Sequence, residues 1–126
     1  METNKKNELE LQSNKEILMY YQTTIRNVAL TTAVSFAALA YSRFYRGKSV
    51  IYSSGLTLVS LLIIFASCII NINLYNFINN HYKTDISLIS ANNHLVVNIL
   101  FMISHLIIIL FGLFTFYRLV TNSKFK

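Results

Sequence analysis

Proline is absent from this chain, cysteine occurs once, glycine three times, and Asp and Glu together number 5. Without proline, nothing in the sequence breaks a helix outright. Transporters that bind substrate at broken helices where repeats meet are disfavoured by that absence, and no internal repeat is visible either. The lone thiol, Cys68, lies inside an apolar run, so an intramolecular disulfide and a thiol-built metal cluster are excluded. With so few carboxylates there is no paired acid and base. No nucleophile stands beside a base, and no glycine-rich phosphate loop is present. The expectation is therefore not an enzyme, with no catalytic, cofactor-binding or metal-ligating residue. Many asparagines are present but none sits in an Asn-x-Ser/Thr sequon, so nothing points to a glycosylated ectodomain.

What is abundant is apolar sequence, 54% of residues against 13% charged, and it is gathered in long blocks rather than at amphipathic spacing. Such blocks point to membrane spans. Heavy Ile, Asn, Lys, Tyr and Phe with sparse Gly and Ala fit AT-rich coding sequence, as in a large DNA virus, an organelle, or an AT-rich protist or bacterium. Met1 to Gln12 is polar and lacks the short apolar core of a signal peptide, so the first span is expected to act as its own targeting signal.

The tyrosines mark where the spans end. Tyr20, Tyr21, Tyr41, Tyr45, Tyr52, Tyr75, Tyr82 and Tyr117 all sit at or near the ends of apolar runs, where amphipathic rings prefer the headgroup level. They bracket three spans, at 21–41, 52–75 and 95–117, in a single membrane domain over 1–126. The fold class expected is an all-α, three-span bundle with a helical N-terminal extension. A loose polar tail over 1–12 and a frayed basic tail over 118–126 flank it.

Ser13-Asn14-Lys15-Glu16 fits the Ser-x-x-Glu capping box ahead of Ile17, Leu18 and Met19, which predicts a helix start at Ser13. Gly47 suits the left-handed position past its end. In the first span Ala29, Ala33 and Ala37 recur every fourth residue. They are either a small-residue packing row or simply good helix formers. Arg26, Asn27, Thr31 and Thr32 make this the most polar of the three spans. Between the second and third spans, Ile72 to His94 reads as an Asn-rich connection. There Thr84 or Asp85 caps a short interfacial helix, or the third helix already begins.

Asn14 to Thr24 reads NKEILMYYQTT. It is similar in spacing to the Asn-Glu-Arg-Thr-x-x-x-Trp-x-Arg-Thr signature that opens small YidH-like membrane proteins, a fold also found in the membrane part of vacuolar transporter chaperone complexes. Asn14 and Thr24 match, and Tyr21 stands where the family has tryptophan. Lys15, Glu16 and Thr23 replace the Glu-Arg pair and the later arginine. The resemblance implies a three-helix membrane architecture with a helical extension beyond the bilayer.

Steps of four and three place Ser53, Thr57, Ser60, Ile64, Ser67 and Asn71 on one stripe of the second span. His94, Asn98, Phe101, His105, Ile108, Gly112 and Thr115 form one stripe of the third. In lipid, helices gain little by hiding apolar surface from one another, so these polar, small-residue faces are expected to meet. Antiparallel neighbours would bring His105 opposite Ser60, Ile64 or Ser67, and Asn98 near Ser67 or Asn71. Leaving the imidazole unpaired in hydrocarbon costs roughly 2–7 kcal/mol, so His105 is expected neutral and hydrogen-bonded. As a functional residue it would relay protons; as a structural one it clasps helices. No Asp, Glu, Lys or second histidine shares its depth to continue a relay, which favours the clasp. Asn71 and Asn98 are read in the same way, as packing residues rather than ion ligands.

Arg43, Arg46 and Lys48 in loop 42–54, with Arg118 beyond the third span, suit anionic lipid headgroups. Immediately beyond a span, lipid is a simpler partner than nucleic acid, and no nucleic acid is expected. The loop and the C-terminal tail carry only positive charge, whereas the N-terminal side balances its basic residues with acids. This favours a cytoplasmic loop and C-terminus, although the 11 Lys and Arg residues divide almost evenly between the sides. The function expected is a structural or assembly subunit of a larger membrane complex, a virion membrane being one setting. The alternative is a homo-oligomeric ion or proton channel lined by the stripe of Ser60, Ser67, Asn71, Asn98, His105 and Gly112. The partners implied are the bilayer and other membrane proteins, or further copies of the chain.

Overall fold

The computed structural model describes residues 2–46, 48–82 and 88–123, with side chains described over 12–46, 48–80 and 94–121. Three helices account for nearly all of it: α1 over Glu2–Phe44, α2 over Val50–Tyr82 and α3 over Leu88–Ser123. No strand occurs among the described residues. The chain runs up, down and up. Ser53 of α2 meets Ser42 of α1 at one end, and the rings of Tyr20 and Phe77 meet at the other, 5.1 Å apart. α2 packs along both neighbours, while α1 and α3 meet each other at fewer points.

Burial follows a near-heptad spacing in every helix, the repeat of closely packed antiparallel bundles. In α1 the buried positions include Tyr21, Val28, Ser35 and Ser42; in α2, Ser53, Thr57, Ser60, Ile64, Ser67, Asn71, Leu74 and Ile78. In α3 they include Asn98, His105, Ile108, Thr115 and Leu119. The outward surface is apolar: Leu30, Val34, Phe36, Leu62, Ile69, Leu106, Leu110 and Phe114 are all exposed. A polar interior inside an apolar exterior reverses the arrangement of a water-soluble bundle.

Two of the helices, α2 over Val50–Asn80 and α3 over His94–Thr121, are long and apolar enough to cross a membrane. α1 is not in that set, because Gln22, Thr23, Thr24, Arg26, Asn27, Thr31 and Thr32 dilute its apolar stretch.

Several expected boundaries move outward. α1 begins at Glu2 rather than at Ser13, so the Ser13–Glu16 box lies inside the helix, and Glu16 accepts a hydrogen bond from Gln12 instead, at 3.5 Å. Residues 2–12 are mostly Glu, Lys, Leu and Gln, good helix formers with no breaker among them, so nothing forces a start at the serine. The polar 1–12 tail is accordingly helical from Glu2 onward. The basic tail is likewise helical as far as Ser123, with Leu119 buried. The Asn-rich stretch after Asn71 stays helical to Tyr82, because Leu74 and Ile78 carry the buried stripe on against Tyr21. Of the two starts considered for α3, the helix already begins at Leu88. Gly47, Thr84 and Asp85 lie outside the described residues.

α2 opens on a cap that the tyrosine boundaries passed over. The hydroxyl of Ser49 accepts the backbone N–H of Tyr52 at 3.5 Å, satisfying a donor of the first turn. The alanine row of α1 faces away from the bundle: Ala29, Ala33 and Ala37 are all exposed. Within the protomer, the heptad positions of α1 do the packing instead.

Candidate functional site

His105 sits where the three helices meet, and it is fully buried. Its Nε2 lies 2.9 Å from the Thr32 hydroxyl of α1 and 3.1 Å from the Ser67 hydroxyl of α2. Thr31 donates to Ser67 at 2.9 Å, and Thr32 donates to the Val28 carbonyl at 2.6 Å. That last bond uses the only proton of Thr32, so its oxygen is left to accept from the ring. This network places the hydrogen of the Thr32 contact on Nε2. His105 Nδ1 has no partner among the described residues.

Next to this centre along the bundle, Asn71 donates from Nδ2 to the Asn98 carbonyl at 3.0 Å. Asn71 Oδ1 and both polar atoms of the Asn98 side chain find no partner among the described residues. On the other side of the His105 level, Ser35 donates to the Ser60 carbonyl at 2.9 Å, and Ser60 returns a bond to the Ser35 carbonyl at 2.7 Å. Nearer the α1–α2 loop, Ser53 donates to the Ser42 carbonyl at 2.7 Å. Thr57 lies 2.9 Å from the Ser42 hydroxyl. The small residues permit this closeness, because a backbone carbonyl can be reached directly by a neighbouring hydroxyl.

Apolar layers close the polar centre at both ends. Leu39, Ile64 and Ile108, with Ile109 against them, form one layer. Tyr21, Leu74 and Ile78, joined by Ile25 and Leu95, form the other. Gly112 lets α3 approach α2 closely: a Cβ there would come within 2.6 Å of Leu61 Cδ2 and 3.2 Å of its Cγ.

The residues foreseen as a stripe are therefore all inside the three-helix bundle. Ser60, Ser67, Asn71, Asn98 and His105 are each at most 1% exposed, and Gly112 is buried as well. His105 meets Ser67 directly. Asn71 reaches the Asn98 backbone rather than its amide. His94 and Phe101 are half-buried, and the His94 ring lies 4.6 Å from that of Tyr21, whose hydroxyl donates to the His94 carbonyl at 3.3 Å. α1 supplies a share that the stripes of α2 and α3 do not reveal, namely Thr31, Thr32, Ser35 and Ser42. Its signal was the seven-residue spacing of Tyr21, Val28, Ser35 and Ser42.

The basic residues gather at the opposite end from the N-terminal extension. Arg43, Arg46, Lys48 and Arg118 are exposed. The Arg43 guanidinium lies over the Phe111 ring, 5.7 Å from its centroid, and Lys48 Nζ lies 4.4 Å from the centroid of Phe44. Among the described residues, no His, Cys, Asp and Glu side chains gather into a metal-binding group. Hydroxyls, amides and one imidazole, with no carboxylate or cation beside them, form a set suited to holding helices together. No family model matches the chain, and neither the curated proteins nor the solved structures compared with it give a match.

Proposed function

We propose that this chain is an integral membrane protein with three spans that serves as a structural or assembly subunit of a larger membrane complex. The carrying observation is the division of its surfaces: the polar stripes are consumed inside the protomer, while the Ala29–Ala33–Ala37 row of α1 faces outward. A helix whose polar face is already satisfied and whose small residues point to lipid is suited to receive a partner helix.

Support for α1 as the third span comes from its outer surface. Thr31, Thr32 and Ser35 turn toward α2 and α3, so from Ala29 to Tyr41 the exposed side chains are Ala29, Leu30, Ala33, Val34, Phe36, Ala37, Ala40 and Tyr41. Aromatic residues mark both ends: Tyr20, Tyr21 and Phe77 at one, Phe44, Tyr45 and Tyr52 at the other. From Tyr21 to Tyr41 is about 30 Å along the helix, close to the thickness of a hydrocarbon core. Arg26 is near one end, within snorkelling reach of the headgroups. With loop 45–49 and the end of α3 at the same end of the bundle, the proposed orientation puts both on the cytoplasmic side.

Burial of the His105 stripe and the apolar layers on either side of it argue for a clasp over a pore. A pore lined by those residues would require the protomer to open. The deciding experiment exchanges Ala33 for leucine and, separately, His105 for leucine. Ala33→Leu is expected to abolish association with partner polypeptides while leaving the bundle folded, and His105→Leu to weaken assembly with no ion flux to lose. Proton flux in liposomes that vanishes with His105→Leu while the oligomer persists would instead establish the channel.

A further inference from the structure

Between α1 and α3 near the basic end, a groove of about 230 Å³ opens on the side of the bundle. Leu39 and Ile108, both nearly buried, form its floor, and Phe36, Ala40, Ile107 and Phe111 line it. Behind the floor lies Ile64 of α2. Arg43 also lines the groove, its guanidinium resting over Phe111. Phe36 and Arg43 are about two helical turns apart, so the groove is roughly 10 Å long.

The geometry points to a site for one anionic phospholipid, with an acyl chain in the groove and the headgroup on Arg43. The inference rests on the membrane reading above and deepens it. Two features select this occupant. The groove is apolar along its length, which suits a hydrocarbon chain, and its cation makes no hydrogen bond or ion pair among the described residues, with Arg46 and Lys48 following closely in the chain to add positive potential. The ring contact with Phe111 also holds the guanidinium toward α3, so a bound headgroup would bridge two helices that otherwise touch little.

The test uses the full chain in vesicles of matched acyl composition, containing phosphatidylglycerol and phosphatidylcholine, followed by mild extraction and native mass spectrometry of retained lipid. The unsubstituted protein is expected to retain one phosphatidylglycerol in preference to phosphatidylcholine. Arg43→Gln lowers that preference about fivefold, the scale for one basic residue at an anionic surface, while lipid of either kind is still retained. Ala40→Phe fills the groove from an exposed position and removes the retained lipid with Arg43 intact. Equal retention of both lipids, undiminished retention in Ala40→Phe, or a lipid-free dimer would overturn the site. Carbonate washing separates the two failures. A chain stripped from the vesicles overturns the membrane reading and the site with it, whereas a chain that stays inserted without lipid preference overturns the site alone.

Discussion

The Thr32 hydroxyl and the His105 ring nitrogen, 2.9 Å apart, join α1 to α3 at a level where both helices also meet Ser67 of α2. In a bilayer such a bond contributes about 0.6 kcal/mol on average and at most about 1.7. A double-mutant cycle of Thr32→Val and His105→Leu, followed by reversible unfolding in bicelles, is expected to give a coupling within that range. Ser67 stays bonded to Thr31 in either variant, so neither alone should unfold the chain. A coupling near zero would show that the contact does not hold the bundle.

Asn71 and Asn98 should respond differently to replacement. Asn98 has no partner for either side-chain polar atom among the described residues, so Asn98→Leu removes an unsatisfied group and should leave stability unchanged or raise it by about 1 kcal/mol. Asn71→Leu removes an unpartnered Oδ1 as well, but it also breaks the bond to the Asn98 carbonyl, so it should be the less favourable of the two by about 1 kcal/mol. Unfolding measured side by side checks the sign of the difference.

The approach of α3 to α2 at Gly112 should tolerate alanine poorly and valine less. An added methyl meets Leu61 Cδ2 at 2.6 Å, and overpacking of this kind costs about 1–3 kcal/mol. Leu61→Ala should recover most of the loss in the Gly112→Ala background, since the obstructing atoms are side-chain carbons. If the double variant is no more stable than Gly112→Ala, some other contact sets the spacing.

The polar stripes of α2 and α3 were legible because each is a run of small polar residues at steps of three and four on an otherwise apolar helix. Ser60, Ser67, Asn98 and His105 had only one side on which to be satisfied. α1 offered no such contrast. Its buried row mixes Tyr21, Val28, Ser35 and Ser42, while Gln22, Thr23, Arg26 and Asn27 are polar or charged on other faces. Polarity therefore does not report burial there, and the visible alanine row points outward. Helix ends were the least legible, since no proline marks them and the Lys- and Glu-rich start is as compatible with helix as with coil. The groove at Phe36 and Phe111 was not legible at all, because it forms between two helices and neither encodes it alone.

Placement of α1 in the bilayer can be checked by cysteine labelling after Cys68→Ala. Cysteines introduced at Leu30, Val34 and Ala37 should resist a water-soluble maleimide in intact membranes, whereas those at Arg46 and Lys48 should react from one side only. A cysteine at Gln12 should react from the opposite side, because α1 extends beyond the bundle there. Ready labelling at Leu30 and Val34 would place α1 outside the membrane and leave two spans.

The most direct test of the assembly role is the native mass of the tagged protein after gentle extraction from its own membrane. The expected result is a discrete complex in which this chain is bound at fixed ratio to other polypeptides, and from which Ala33→Leu releases it as a folded monomer. A protein recovered only as a monomer, or as a homo-oligomer that conducts ions between about pH 5 and 8, would contradict it.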